Sequence, residues 1–189
     1  GANQTRKLKY KVKLKDSYIG IQSRGTITNH AKAFSKSYEH KESSSEFTPS
    51  AGMYLKKTAG AYQADPSGNG GTITYTVYMK ANKDNTYTLK NVKLYDNFMD
   101  YNTDKKLFPY MSYESDSFKL YEGSTAKEEN LLEIPKNKHE GKSNPSIVSD
   151  GKSVCKFDFY VGDLKPGEER VVTYRVRVTE GIFALSNDE

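Results

Sequence analysis

The sequence predicts an all-β fold, an antiparallel sandwich of immunoglobulin-like type, from three observations. Apolar residues recur with a period of two, and no stretch carries a helical period. The apolar positions are rich in large flat side chains, with 15 Tyr and 8 Phe in 189 residues, which suit a pleated, half-buried surface. Clusters of Gly, Asn, Asp and Pro divide the chain into roughly eight short segments at the spacing of a sandwich.

Taken in order, Leu8, Tyr10, Val12 and Leu14 share one face of a first strand, alternating with Lys9, Lys11 and Lys13. Ile27, Asn29, Ala31 and Ala33 share a face of a second. Residues 35–50 turn polar, and 37–50 reads as a linker. Met53, Leu55 and Lys57 are in phase before a turn at Asp65-Pro-Ser-Gly-Asn-Gly-Gly71. Ile73, Tyr75, Val77 and Met79 then point one way, followed by Tyr87 and Leu89, and by Val92, Leu94 and Asp96. Residues 97–117 read as a long irregular stretch, with a short strand starting at Phe118 and Leu120 and an apolar island at 131–134. Residues 155–161 lead through Gly162-Asp-Leu-Lys-Pro-Gly-Glu168 into Val172, Tyr174, Val176 and Val178.

Composition excludes several function classes. The 29 Lys and Arg exceed the 24 Asp and Glu by five, but they are dispersed, as on a solvated surface rather than a nucleic-acid interface. No apolar run approaches the roughly 20 residues of a membrane-spanning helix, and the first residues lack the apolar stretch of a signal peptide. We therefore expect a soluble piece with no membrane insertion. The single cysteine, Cys155, excludes a disulfide framework within the chain and is in phase with Phe157, Phe159 and Val161, as a core residue would be. Asp100, Asn102 and Asp104 have a calcium-loop spacing but lack the glycine and bidentate glutamate of such a loop. His30, His40 and His139 have no second ligand at metal spacing. No nucleophile elbow, zinc-protease motif or phosphate-binding loop is present, so neither a cofactor nor a turnover enzyme is expected. Tyr110, Tyr113 and Tyr121 are candidates for a sugar-stacking face.

A repeat is visible. Leu8-Lys-Tyr-Lys-Val-Lys-Leu-Lys-Asp16 overlays Val172-Thr-Tyr-Arg-Val-Arg-Val-Thr-Glu180, matching Tyr10 with Tyr174 and Val12 with Val176 at an offset of 174 − 10 = 164. The strand that follows the first copy, residues 25–34, has no counterpart after the second.

The order of these segments resembles the immunoglobulin-like isopeptide-forming domains of Gram-positive pilins and cell-wall adhesins. The residues that carry the likeness are Leu55-Lys-Lys-Thr58, Thr72-Ile-Thr-Tyr-Thr-Val77, Leu89-Lys-Asn-Val-Lys-Leu-Tyr-Asp96, Leu164-Lys-Pro-Gly-Glu168, Val172-Thr-Tyr-Arg-Val176 and Ile27-Thr-Asn-His-Ala-Lys-Ala33. Residues 1–36 then correspond to the terminal strands of a preceding repeat, and 51–189 to a sandwich without its last strand, which residues 26–34 are suited to complete.

The resemblance implies that a lysine and an asparagine become joined side chain to side chain, assisted by an acid. A lysine amine attacks only when neutral, and apolar surroundings favour that form; a carboxyl kept protonated in the same surroundings polarises the carboxamide. Lys57, Asp96 and Asn29 all occupy core-phase positions. Either Lys56 or Lys57 supplies the amine, and the phase favours Lys57. Asn29 departs from the family order, in which the asparagine follows the lysine. The function implied is a stalk module of an extracellular, wall-anchored surface protein, with neighbouring repeats of the same polypeptide as partners. The alternatives are an adhesin module that binds host glycan or matrix protein through its loops, and a carbohydrate-binding appendage of a secreted enzyme.

Overall fold

The computed structural model describes residues 7–11, 27–35, 38–47, 52–98, 110–136, 143–149 and 155–181. The chain divides into two compact units, Gly1–Pro49 and Ser50–Glu189.

In the first unit, β1 (Ile27–Ser35) and β2 (Tyr38–Phe47) form an antiparallel two-stranded sheet, with Ile27 opposite Phe47 and Asn29 opposite Ser45. The segment expected to be a linker is therefore largely a strand. Its signal was absent for a physical reason. Residues 28–31 and 43–46 are exposed, so along these residues no buried face imposes alternation on the sequence. The expected first strand is not formed over residues 7–11, which have no regular structure and expose Leu8 and Tyr10; Val12 and Leu14 lie outside the described residues.

The second unit is an all-β antiparallel sandwich. Its strands are β3 (Met53–Ala59), β4 (Gln63–Ala64), β5 (Gly71–Ala81), β6 (Leu89–Asn97), β7 (Met111–Tyr113), β8 (Lys119–Glu122), β9 (Leu131–Leu132), β10 (Ser146–Ser149), β11 (Cys155–Leu164) and β12 (Glu169–Val178). The larger sheet runs β3-β5-β12-β8-β9, with β4 added to β5 and β7 to β12; the smaller runs β10-β11-β6. No helix among the described residues is long and apolar enough to cross a membrane.

The period-two segments form the two inner faces. Val77, Met79 and Ala81 of β5 and Val172, Tyr174, Val176 and Val178 of β12 are buried with Val92 and Leu94 of β6 and Cys155, Phe157, Phe159 and Val161 of β11. Tyr174, Phe157 and Phe159 are completely or almost completely buried, and full burial of one such ring is worth about 1.5–3 kcal/mol. The rings interlock: Phe118 stacks on Tyr174 at 5.2 Å, and Phe157 meets Tyr174 edge-on at 4.9 Å, geometries that aromatic quadrupoles favour.

Two local devices fix strands of the sandwich, one at the start of β3 and one beside Tyr174. Asn85 is buried, accepts a hydrogen bond from the Gly52 N–H at 2.7 Å and donates to the Gly52 carbonyl at 2.9 Å, which fastens the start of β3. On β12, the Arg175 N–H donates to Ser117 Oγ at 2.7 Å, and the Glu114 N–H donates to the Arg175 carbonyl at 3.0 Å. These bonds bridge the gap between β8 and β7 along one edge of β12. They hold β7, a strand of only three residues lying within the stretch expected to be irregular, in register with β12.

Candidate functional site

Lys57 lies on β3 directly opposite Val77, and Asp96 lies on β6 directly opposite Phe157. Both partners are buried on the inner faces, and residues opposite one another share a face, so Lys57 and Asp96 point between the sheets. They meet there, with Lys57 Nζ 2.6 Å from Asp96 Oδ2. The contact joins the terminal strand of one sheet to the terminal strand of the other.

Three tyrosines surround it. The Tyr174 hydroxyl donates to the same Asp96 oxygen at 2.5 Å. Lys57 Nζ sits 4.5 Å from the centroid of the Tyr75 ring and 5.9 Å from that of Tyr174, and those two rings stack at 5.6 Å, so the ammonium also faces the negative face of an aromatic ring. The Tyr113 ring packs against Tyr174 at 5.9 Å, and its buried hydroxyl lies near Asp96 without a well-aligned hydrogen bond among the described residues. Burial pushes the phenols of Tyr174, Tyr113 and Tyr75 upward, and the charge of Asp96 adds to the shift in each. All three therefore remain protonated near neutral pH, and Tyr174 remains a donor to the carboxylate.

Lys57 is not enclosed in the apolar core as the sequence reading expected. Its side chain is 40% exposed, against 17% for Asp96. The cause is the unequal width of the two layers. Leu55 and Met53 lie opposite Met79 and Ala81, which are fully buried, yet Leu55 is 53% and Met53 41% exposed. The inner face of β3 thus extends past the edge of the smaller sheet, which ends at β6. The result is an exposed apolar edge along β3, formed by Met53 and Leu55, beside Lys57. Lys56 lies opposite Tyr78, on the other face of the strand, so of the two candidate lysines it is Lys57 that reaches the acid.

Asn29 belongs to the first unit, where its Nδ2 donates to the hydroxyl of Tyr10 at 2.5 Å. Tyr10 is the residue that the 164-residue offset aligns with Tyr174. The candidates for a sugar-stacking face are corrected in part. Tyr113 and Tyr121 are buried, the first in the aromatic cluster and the second opposite Val171 of β12, and a buried ring offers no face to a sugar. Tyr110 is half-buried, its carbonyl accepting from the Thr179 N–H at 2.9 Å. Asp100, Asn102, Asp104 and His139 lie outside the described residues. Among the described residues, no group of three or more His, Cys, Asp or Glu side chains is placed to hold a metal.

Sequence reasoning placed Tyr75 and Tyr174 in the core phase but assigned neither a role at the site. Only the alignment of Tyr174 with Tyr10 could have singled one of them out. The chain matches no protein-family model, and no curated protein matches it in sequence.

Proposed function

We propose that the chain is a structural module from the stalk of a Gram-positive surface adhesin or pilus, whose sandwich is locked by a Lys57–Asn29 isopeptide bond formed with the help of Asp96. The observation that carries the reading is the 2.6 Å contact between Lys57 and Asp96, shared by the Tyr174 hydroxyl. An amine and an acid held together between two apolar sheets are the two groups that this chemistry requires besides the carboxamide.

The step balances without a cofactor. Lys57 passes a proton to Asp96 Oδ2 across their contact, which leaves a neutral amine and a neutral acid. The acid donates to the carboxamide oxygen of Asn29 and polarises its carbon. Nζ attacks that carbon, the C–N bond to the amide nitrogen breaks, and the amine's second proton leaves with that nitrogen as ammonia. Asp96 then gives the proton it took from Lys57 to the departing ammonia, which leaves as ammonium, and returns to a carboxylate; because the lysine and the asparagine are consumed, each pair reacts once.

For an extracellular, wall-anchored stalk, such a bond resists both force and proteolysis. By analogy with a disulfide, closing the loop of 57 − 29 = 28 residues within one chain removes roughly 3–4 kcal/mol of unfolded-state entropy. The partners on this reading are neighbouring repeats of the same polypeptide. Intact-mass measurement tests it. The wild-type product is expected to weigh one ammonia less than the sequence for each bond formed, and Lys57→Ala to keep the full mass. Wild-type protein that retains its full sequence mass at every concentration overturns the proposal.

A further inference from the structure

The apolar edge along β3 is built to receive one more strand, and the chain contains a strand that fits it. We infer that this edge is a strand-acceptor site whose occupant is residues 27–33 of a second copy of this chain, with Asn29 seated against Tyr174, Asp96 and Lys57. The inference rests on the reading above for the bond that follows binding, and on the edge alone for the binding itself.

Three observations converge on this occupant. The first is the exposed edge. Met53 and Leu55 are more than two-fifths exposed although their cross-strand partners are fully buried, and such an inner face is incomplete without apolar cover. The second is the pattern of residues 27–33. Ile27, Asn29, Ala31 and Ala33 alternate on one face, at the same two-residue spacing as Met53, Leu55 and Lys57. With Asn29 level with Lys57, apolar residues flank the asparagine on both sides, so Leu55 meets an apolar neighbour whichever way the strand runs.

The third is Tyr10. Asn29 already holds its carboxamide on the Tyr10 hydroxyl at 2.5 Å, and Tyr10 aligns with Tyr174. Carried over by that offset, the contact places the carboxamide on the Tyr174 hydroxyl, and therefore beside the Asp96 oxygen and the Lys57 amine that this hydroxyl adjoins. The buried hydroxyl of Tyr113 lies in the same cluster, near Asp96.

The strand is available for exchange. Among the described residues β1 pairs with β2 in a two-stranded sheet, residues 28–31 and 43–46 of that pair are exposed, and a two-stranded ribbon is by itself at best marginally stable. Added to a sandwich edge, the same strand would gain both a ladder of backbone hydrogen bonds and side-chain pockets.

The test uses the full 189-residue chain and two separable readouts. Sedimentation of Lys57→Ala, which cannot form the bond, reads binding alone. Concentration-dependent association is expected, weakened about tenfold or more by adding Leu55→Asp, which buries an unpaired charge under the strand. Leu55 is exposed on an edge strand, so unchanged circular dichroism of the variant will show that the fold is kept. The second readout mixes Lys57→Ala, which offers only the asparagine, with Asn29→Ala, which offers only the lysine. The expected product has the summed mass of both chains less one ammonia, and neither variant alone forms it. Association without loss of ammonia upholds the acceptor site and refutes the cross-link. A chain that stays monomeric at all concentrations, or that associates regardless of Leu55→Asp, overturns the inference. So does a wild-type monomer that loses one ammonia by itself, because its strand has then closed on its own chain.

Discussion

Tyr174 and Tyr113 share one aromatic cluster, and deletion of a single hydroxyl from each is expected to change stability in opposite directions. Tyr174 is fully buried and donates to Asp96 at 2.5 Å. Phenylalanine at 174 keeps the contacts with Phe118 and Phe157, so the substitution removes the hydrogen bond and little else. A hydrogen bond to a charged group is worth about 1.5–3 kcal/mol. Because Asp96 is 17% exposed, water takes up part of the loss, which puts Tyr174→Phe at about 1.5–2 kcal/mol destabilising. The Tyr113 hydroxyl is equally hidden and lies near Asp96, but among the described residues it makes no well-aligned hydrogen bond. A buried polar group without a partner costs about 1–3 kcal/mol, so Tyr113→Phe is expected to be neutral or to stabilise by up to about 1 kcal/mol. Urea titrations at neutral pH, followed by near-ultraviolet circular dichroism of the buried tyrosines, read both. With a slope of about 2 kcal/mol per molar, the midpoint of Tyr174→Phe falls by about 1 M while that of Tyr113→Phe holds or rises. Equal losses from the two substitutions, or a larger loss at Tyr113, would refute this account of how the hydroxyls are satisfied.

Two further outcomes follow from the same geometry. Asn85→Ala removes both hydrogen bonds to Gly52 and is expected to destabilise by about 1–3 kcal/mol, with faster amide hydrogen exchange at the start of β3; unchanged exchange there would show that β3 needs no such fastening. Asp65 is held down to about 2 from 3.8, first by the Ser67 N–H and then by the Arg177 guanidinium. A carboxyl with a depressed folded value contributes stability above its unfolded value and loses it as pH falls through the folded one. Asp65→Asn should therefore be less stable than wild type above about pH 4, and the two should converge toward about pH 2. A constant gap across that range in paired urea titrations would contradict the assignment.

Some elements were legible in the sequence because they bury one face. Alternation marks β5, β6, β11 and β12, whose inward residues form the core, and it places Cys155 correctly among them. β2 was missed because both its faces meet water along residues 43–46. β7 was missed because three residues are too few to show a period, and its register is set by β12. Residues 7–11 erred the other way: their amphipathic alternation is real, but a strand forms only where a neighbour accepts its hydrogen bonds, and these residues have no regular structure.

The phase of Lys57 and Asp96 was also legible, since side-chain direction along a strand depends only on the parity of the position. Their meeting was not. It depends on β3 and β6 lying at the same side of two facing sheets, an arrangement reached through pairings dozens of residues apart. The exposure of Lys57 likewise depends on how far one sheet extends past the other, and the role of Tyr174 on β12 lying between β5 and β7. By itself, then, the sequence determined an all-β chain and the inward face of the strands that build its core. Only the tertiary structure decided which strands became neighbours, because alternation is a local property of a strand whereas adjacency is settled by long-range pairing and by the packing of one sheet upon the other.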